Sequence, residues 1–223
     1  MRANGVVPIA AISGALLLFA GTYLHPMSAD PNAPLAAFTE YATDHLWVTS
    51  HLMQLGGIAL MVAVLVLLSR EMAGGPEGSS SAALAAAGAI ASLAVAAALQ
   101  AVDGVALKTM VNAWAAAVGE DKNSLFHAAF AVRQIEVGLA SMSALLFGLT
   151  VSVFGIALLL DPRFPKWLGL MAIAGGAPTA TAGALIAYTG FSGLAMAVDM
   201  PAGSLLLCCM VALGIHVWRR PAL

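Results

Sequence analysis

Charge is the scarcest ingredient of this chain. Asp, Glu, Lys and Arg together make up 9% of its 223 residues, where a soluble globular domain carries roughly a quarter. So little charge cannot coat a surface that faces water. The nine basic residues are also scattered, with a formal net charge of −2, so the concentrated positive footprint that nucleic acid requires is missing. Cysteine is nearly absent: Cys208 and Cys209 stand side by side in an apolar run. That excludes a disulfide framework, a CxxC redox pair and a zinc ribbon. No HExxH, HxxxH or internal repeat occurs, and the glycine-rich segments lack the strand–turn–helix setting of a phosphate-binding loop.

What is present is apolar. Hydrophobic residues make up 61% of the chain and its mean hydropathy is +0.94. Runs near the length needed to cross a hydrocarbon core, about 20 residues, recur six times. The expected fold is all-α: a single membrane domain over 1–223, with transmembrane helices over 6–24, 44–69, 82–109, 125–160, 168–188 and 199–218. Arg2 ahead of the first apolar run resembles a signal peptide, but the run is long for one and is expected to stay as a helix. Pro178 is expected to kink the fifth helix. Gly74-Gly75-Pro76 punctuates the second loop, and the segment 25–43 reads as a polar linker.

Arg2, Arg70, Arg163, Lys166, Arg219 and Arg220 fall on the side shared with the amino terminus. Only Lys108, Lys122 and Arg133 fall on the other, beside most of the acids. The Lys/Arg bias places the first side, and with it both termini, in the cytoplasm. Glycines such as Gly56, Gly57, Gly148, Gly155, Gly176 and Gly183 break up the helices, and small residues let helices approach closely where lipid supplies no hydrophobic drive.

The chemistry-bearing residues gather in one layer. Counted from the cytoplasmic helix ends at about 1.5 Å per residue, His51, Asp103, Glu136 and Asp199 lie roughly 27–36 Å up, at the external boundary. Pairs three apart share a helical face: His51 with Gln54, Gln100 with Asp103, Arg133 with Glu136. Ionisable groups in a membrane segment usually face the bundle interior or a cavity. The candidate polar cluster is therefore Asp103, Arg133, Glu136, His51, Gln54, Gln100, His127 and Asp199. His51, His127, Asp103 and Glu136 are its possible metal ligands, and imidazole also admits haem. His25 and His45 read as solvated linker residues.

The segment Asp103-Gly104-Val105-Ala106-Leu107-Lys108 and the segment Ala131-Val132-Arg133-Gln134-Ile135-Glu136-Val137-Gly138-Leu139 resemble the DUF4386-like family of multi-pass bacterial membrane proteins. Arg163-Phe164-Pro165-Lys166-Trp167-Leu168-Gly169 and Ala187-Tyr188-Thr189-Gly190-Phe191-Ser192 add to the likeness. The resemblance implies a six-helix protein of the bacterial plasma membrane and assigns no catalytic residue. Three functions suit these residues: binding or transport of a small ligand through an external-facing polar cavity, an accessory role beside a membrane-protein partner, or metal-assisted catalysis. In each, the lipid bilayer is the first partner.

Overall fold

The computed structural model describes residues 3–73 and 79–219. Arg2, Arg220 and the Gly74-Gly75-Pro76 punctuation lie outside the described residues. The elements are α1 (Ala3–Leu24), α2 (Pro34–Thr43), α3 (Trp47–Ala73), α4 (Ser79–Gln100), a π-helical segment (Ala101–Leu107), α5 (Lys108–Ala116), α6 (Asp121–Leu160), α7 (Lys166–Thr189) and α8 (Gly193–Trp218). Among the described residues, six helices are long and apolar enough to cross a membrane, counting Ser80–Ala116 as one interrupted helix. The architecture is all-α.

Each spanning helix packs on the next in chain order. The pairs α1–α3, α3–α4, α4–α6, α6–α7 and α7–α8 are joined by α8–α1, which closes the ring. Glycine makes the tightest of these approaches possible. A Cβ on Gly148 would stand 2.3 Å from the Ala180 nitrogen, and one on Gly183 2.4 Å from the Leu145 nitrogen. Such distances are open only to a residue without a side chain. The Ser141 hydroxyl adds a hydrogen bond of 2.8 Å to the Gly183 carbonyl. Packing of this kind substitutes for the hydrophobic drive that lipid does not provide.

Contacts sort the helix ends into two groups. At one end, a Cβ on Gly214 in α8 would meet Pro8 and Ala11 in α1, and Arg163 reaches Glu71 at the end of α3. The two termini of the described chain, Arg70, Arg163 and Lys166 therefore share this basic end. Buried Met61, Leu65, Phe154, Leu168 and Leu213 form the core above it. At the opposite end lies a smaller aromatic core of Phe38, Tyr41, Trp47, Leu107, Val111 and Trp114.

Three features depart from the sequence reading. The linker contains a helix: α2 folds back over the opposite end and buries Ala37, Phe38 and Tyr41. Pro34 at its start is well placed, because a first-turn proline has no helical N–H bond to forfeit. Its last carbonyls, from Tyr41 and Ala42, accept from Lys108. The third spanning helix also runs beyond 109 to Ala116 and is π-helical at Ala101–Leu107. Local i→i+5 bonding of this kind re-aims side chains and recurs at functional sites. Asp103 sits inside it. The last helix starts at Gly193 rather than 199, because the Ser192 hydroxyl caps it by accepting from the Ala195 N–H at 3.3 Å.

Candidate metal centre

The site is built from three elements. α3 supplies His51, which is 2% exposed, and the π-helical segment supplies Asp103. The turn after α1 supplies His25. His51 Nε2 stands 3.0 Å from Asp103 Oδ2. The His25 and His51 ring centroids are 5.0 Å apart. One donor atom from each of the three residues falls within 4.8 Å of the other two.

Hydrogen bonding settles which nitrogen of each ring is available. His51 Nδ1 is 2.7 Å from the Trp47 carbonyl, and a carbonyl can only accept, so Nδ1 carries the hydrogen. His25 Nδ1 stands in the same relation to the Pro26 carbonyl at 2.8 Å. Both rings therefore keep Nε2 as the nitrogen free to act as a ligand, and that of His51 faces Asp103. Backbone carbonyls that hold the distal N–H are a recurring outer support of metal-binding histidines. His51 then has a carboxylate at Nε2 and a carbonyl at Nδ1, two acceptors. The space between Nε2 and Oδ2 must hold a proton or a cation.

Asp103 adds a second demand. Its Oδ1 is buried and meets no hydrogen-bond partner among the described residues. A buried carboxylate oxygen without a partner costs roughly 1–3 kcal/mol or more, a cost that a cation shared with the histidines would remove.

Aromatic rings hold this geometry. Trp47 lies 4.7 Å from the His51 ring, 4.8 Å from His25 and 4.2 Å from Tyr41, between centroids. The Trp47 indole N–H donates to the Asp103 main-chain carbonyl at 3.0 Å, which pins α3 to the π-helical segment. Burial, and after it the charge of His51, push the His25 imidazole below its ordinary 6.5, which favours the neutral ring that keeps a lone pair. Burial pushes the Tyr41 phenol up to about 12, so Tyr41 brings no charge.

Gly104 lets the ring approach. A Cβ there would stand 2.6 Å from His51 Cβ, an atom close to the backbone that cannot swing aside. Gly104→Ala is expected to displace His51 and destabilise the protein by about 1–3 kcal/mol, the usual cost of overpacking. Thermal unfolding in detergent measures it, and an unchanged midpoint would remove Gly104 from this account.

The remaining sequence candidates fall around this core. Gln54 and Gln100 bridge α3 and α4 one turn away, with Gln100 Nε2 donating to Gln54 Oε1 at 3.1 Å. Arg133 and Glu136 form a buried ion pair on α6, exposed 6% and 2%. Arg133 also donates to the Pro31 carbonyl at 3.2 Å and lies over the Phe191 ring at 5.0 Å. Asn32 Nδ2 donates to the Phe191 carbonyl at 2.9 Å, so the chain that follows His25 is fastened across the bundle end. His127 is exposed and touches Phe126 edge-on. Asp199 is half-buried on α8. Neither joins the three-residue cluster.

His25 is half-buried among aromatic rings, where the sequence reading left it solvated. What brings it there is the packing of Phe38 and Tyr41 on Trp114 and Trp47, a contact between residues far apart in the chain. Comparison with family models, curated proteins and solved structures finds no match to this chain.

Proposed function

We propose that this chain is a metal-dependent membrane protein whose centre is His25, His51 and Asp103. The observation that carries the reading is the donor set: two imidazoles whose Nδ1–H groups sit on carbonyls, gathered with one carboxylate so that a donor atom of each lies within 4.8 Å of the others. Two histidines and a carboxylate suit zinc or ferrous iron, and three protein donors leave coordination for water or substrate. Such an ion lowers the pKa of bound water or polarises a carbonyl or phosphoryl oxygen. A centre at the helix ends suits a substrate that is itself amphiphilic.

The donors converge on a point, which fits a single ion better than the plane of a haem. An open polar cavity has less support. Two clefts of the molecule are apolar and lie elsewhere, one between α3, α6, α7 and α8 around Phe154 and Leu206, one beside Ile12 and Trp218. The resemblance to DUF4386-like proteins belongs to this reading, since its segments supply Asp103 and the Arg133–Glu136 pair.

The orientation is part of the proposal. The basic end holds Arg70, Arg163, Lys166 and Arg219, so it is assigned to the cytoplasm and the metal centre to the opposite face. Reporter fusions after Arg70 and Lys166 are expected to read cytoplasmic, and one at Lys122 external. An external signal at Arg70 inverts the assignment.

Trp47 makes the metal test direct, because its ring lies against both histidines, 4.8 and 4.7 Å between centroids. Protein purified in mild detergent is expected to carry about one equivalent of zinc or iron by elemental analysis. After chelation, added Co²⁺ is expected to quench Trp47 fluorescence to a one-to-one endpoint. Protein that holds no metal and shows no quenching would sink the reading.

A further inference from the structure

Beside the His51–Asp103 pair runs a second polar rung. Gln54 is three residues along α3 from His51, and Gln100 is three residues back from Asp103. The two helices are antiparallel neighbours, so both rungs span the same pair of helices and the second lies three residues from the first on each. In the second rung Gln100 spends its amide N–H on Gln54 Oε1 at 3.1 Å. Its own Oε1 is buried without a partner among the described residues, and Gln100 is 8% exposed.

Three buried side-chain oxygens of the described chain lack partners: Ser69 Oγ, Gln100 Oε1 and Asp103 Oδ1. Ser69 is at the other end of α3. The other two stand three residues apart, one at the metal centre and one on the adjoining rung. A cation at the centre would answer Asp103, but an uncharged amide oxygen is answered best by an O–H or N–H donor.

We infer that Gln100 is a positioning residue, whose amide oxygen accepts a hydrogen bond from a water or hydroxyl group completing the coordination of an ion on His25, His51 and Asp103. This rests on the metal reading above and names the ligand class that the centre takes: a neutral oxygen ligand that donates hydrogen bonds, water or an alcohol, in preference to an anion. Gln54 fixes the direction of the amide. An anion in the same place brings no hydrogen to Gln100 and meets the negative end of its carbonyl dipole.

The test uses Co²⁺ at saturation as the metal and azide as the competing anion, followed by the azide-to-cobalt charge-transfer band. Gln100→Leu and Gln100→Met remove the acceptor, the second with nearly the same volume. Both are expected to bind azide about fivefold more tightly than wild type, the equivalent of one ordinary hydrogen bond to the displaced water. Gln100→Glu keeps the acceptor, adds negative charge and is expected to weaken azide. If Leu fails to fold, Met decides. Equal azide affinity in wild type, Leu and Met overturns the role of Gln100 and leaves the metal centre standing. Weaker azide in Leu and Met would mean that the amide presents its N–H groups, and also overturns it. No Co²⁺ binding by the wild-type protein overturns the metal reading itself.

Discussion

His51→Gln is expected to weaken metal binding on the order of a hundredfold while leaving the protein folded. Glutamine keeps most of the buried volume, so the helices have little reason to shift. What it removes is a neutral aromatic nitrogen aimed by a backbone carbonyl. Structural zinc binds with roughly 10–16 kcal/mol in total, and one ligand in three or four accounts for a few kcal/mol of that, hence about two decades in affinity. Co²⁺ titration read by Trp47 fluorescence measures the change, and His25→Gln should follow the same course. Wild-type affinity in both variants would show that the histidines are ordinary polar core residues. In that case the proton between His51 Nε2 and Asp103 Oδ2 suffices to hold the pair together.

Arg133→Ala is expected to cost about 3–5 kcal/mol of stability, the cost of breaking a buried ion pair from one side. Glu136 is 2% exposed and Arg133 6%, so water cannot replace the lost cation. The alanine also removes the bond to the Pro31 carbonyl and the ring contact with Phe191, and with them the strap that follows His25. Thermal or denaturant unfolding in detergent reads the loss. The double variant Arg133→Ala/Glu136→Gln should recover part of it, because a neutral amide is far cheaper to bury than an unpaired carboxylate. A double variant no better than the single one would place the stabilisation in the strap contacts rather than in the charge pair. The net worth of the intact pair is a separate matter, since burying both charges is itself costly.

The two outcomes separate structure from chemistry. His51 is predicted to act on the ion with little effect on the fold, and Arg133 chiefly on the fold. Metal affinity in Arg133→Ala should fall only as far as the Pro31 segment loosens and carries His25 with it.

The membrane class, the six spans and the gathering of polar groups at one end were legible in the sequence. Each follows from a local quantity: apolar run length against bilayer thickness, and distance along a helix from its end. The pairing of Arg133 with Glu136 on a shared face was legible too, from helical period alone. The partner across each gap was not. Helical spacing specifies which residues share a face and leaves open which neighbouring helix that face meets. His25 shows the limit most plainly. Polar residues and three prolines made 25–43 read as a linker, and nothing local says that such a segment returns. Its return is decided by burial of Phe38 and Tyr41 against Trp47 and Trp114, a contact between residues far apart in the chain. The π-helical segment at Ala101–Leu107 is likewise tertiary, because its apolar residues would serve an α-helix equally well. There the docking of Trp47 on the Asp103 carbonyl and the seating of His51 against Gly104 set the backbone, and with it the direction of the one carboxylate at the centre.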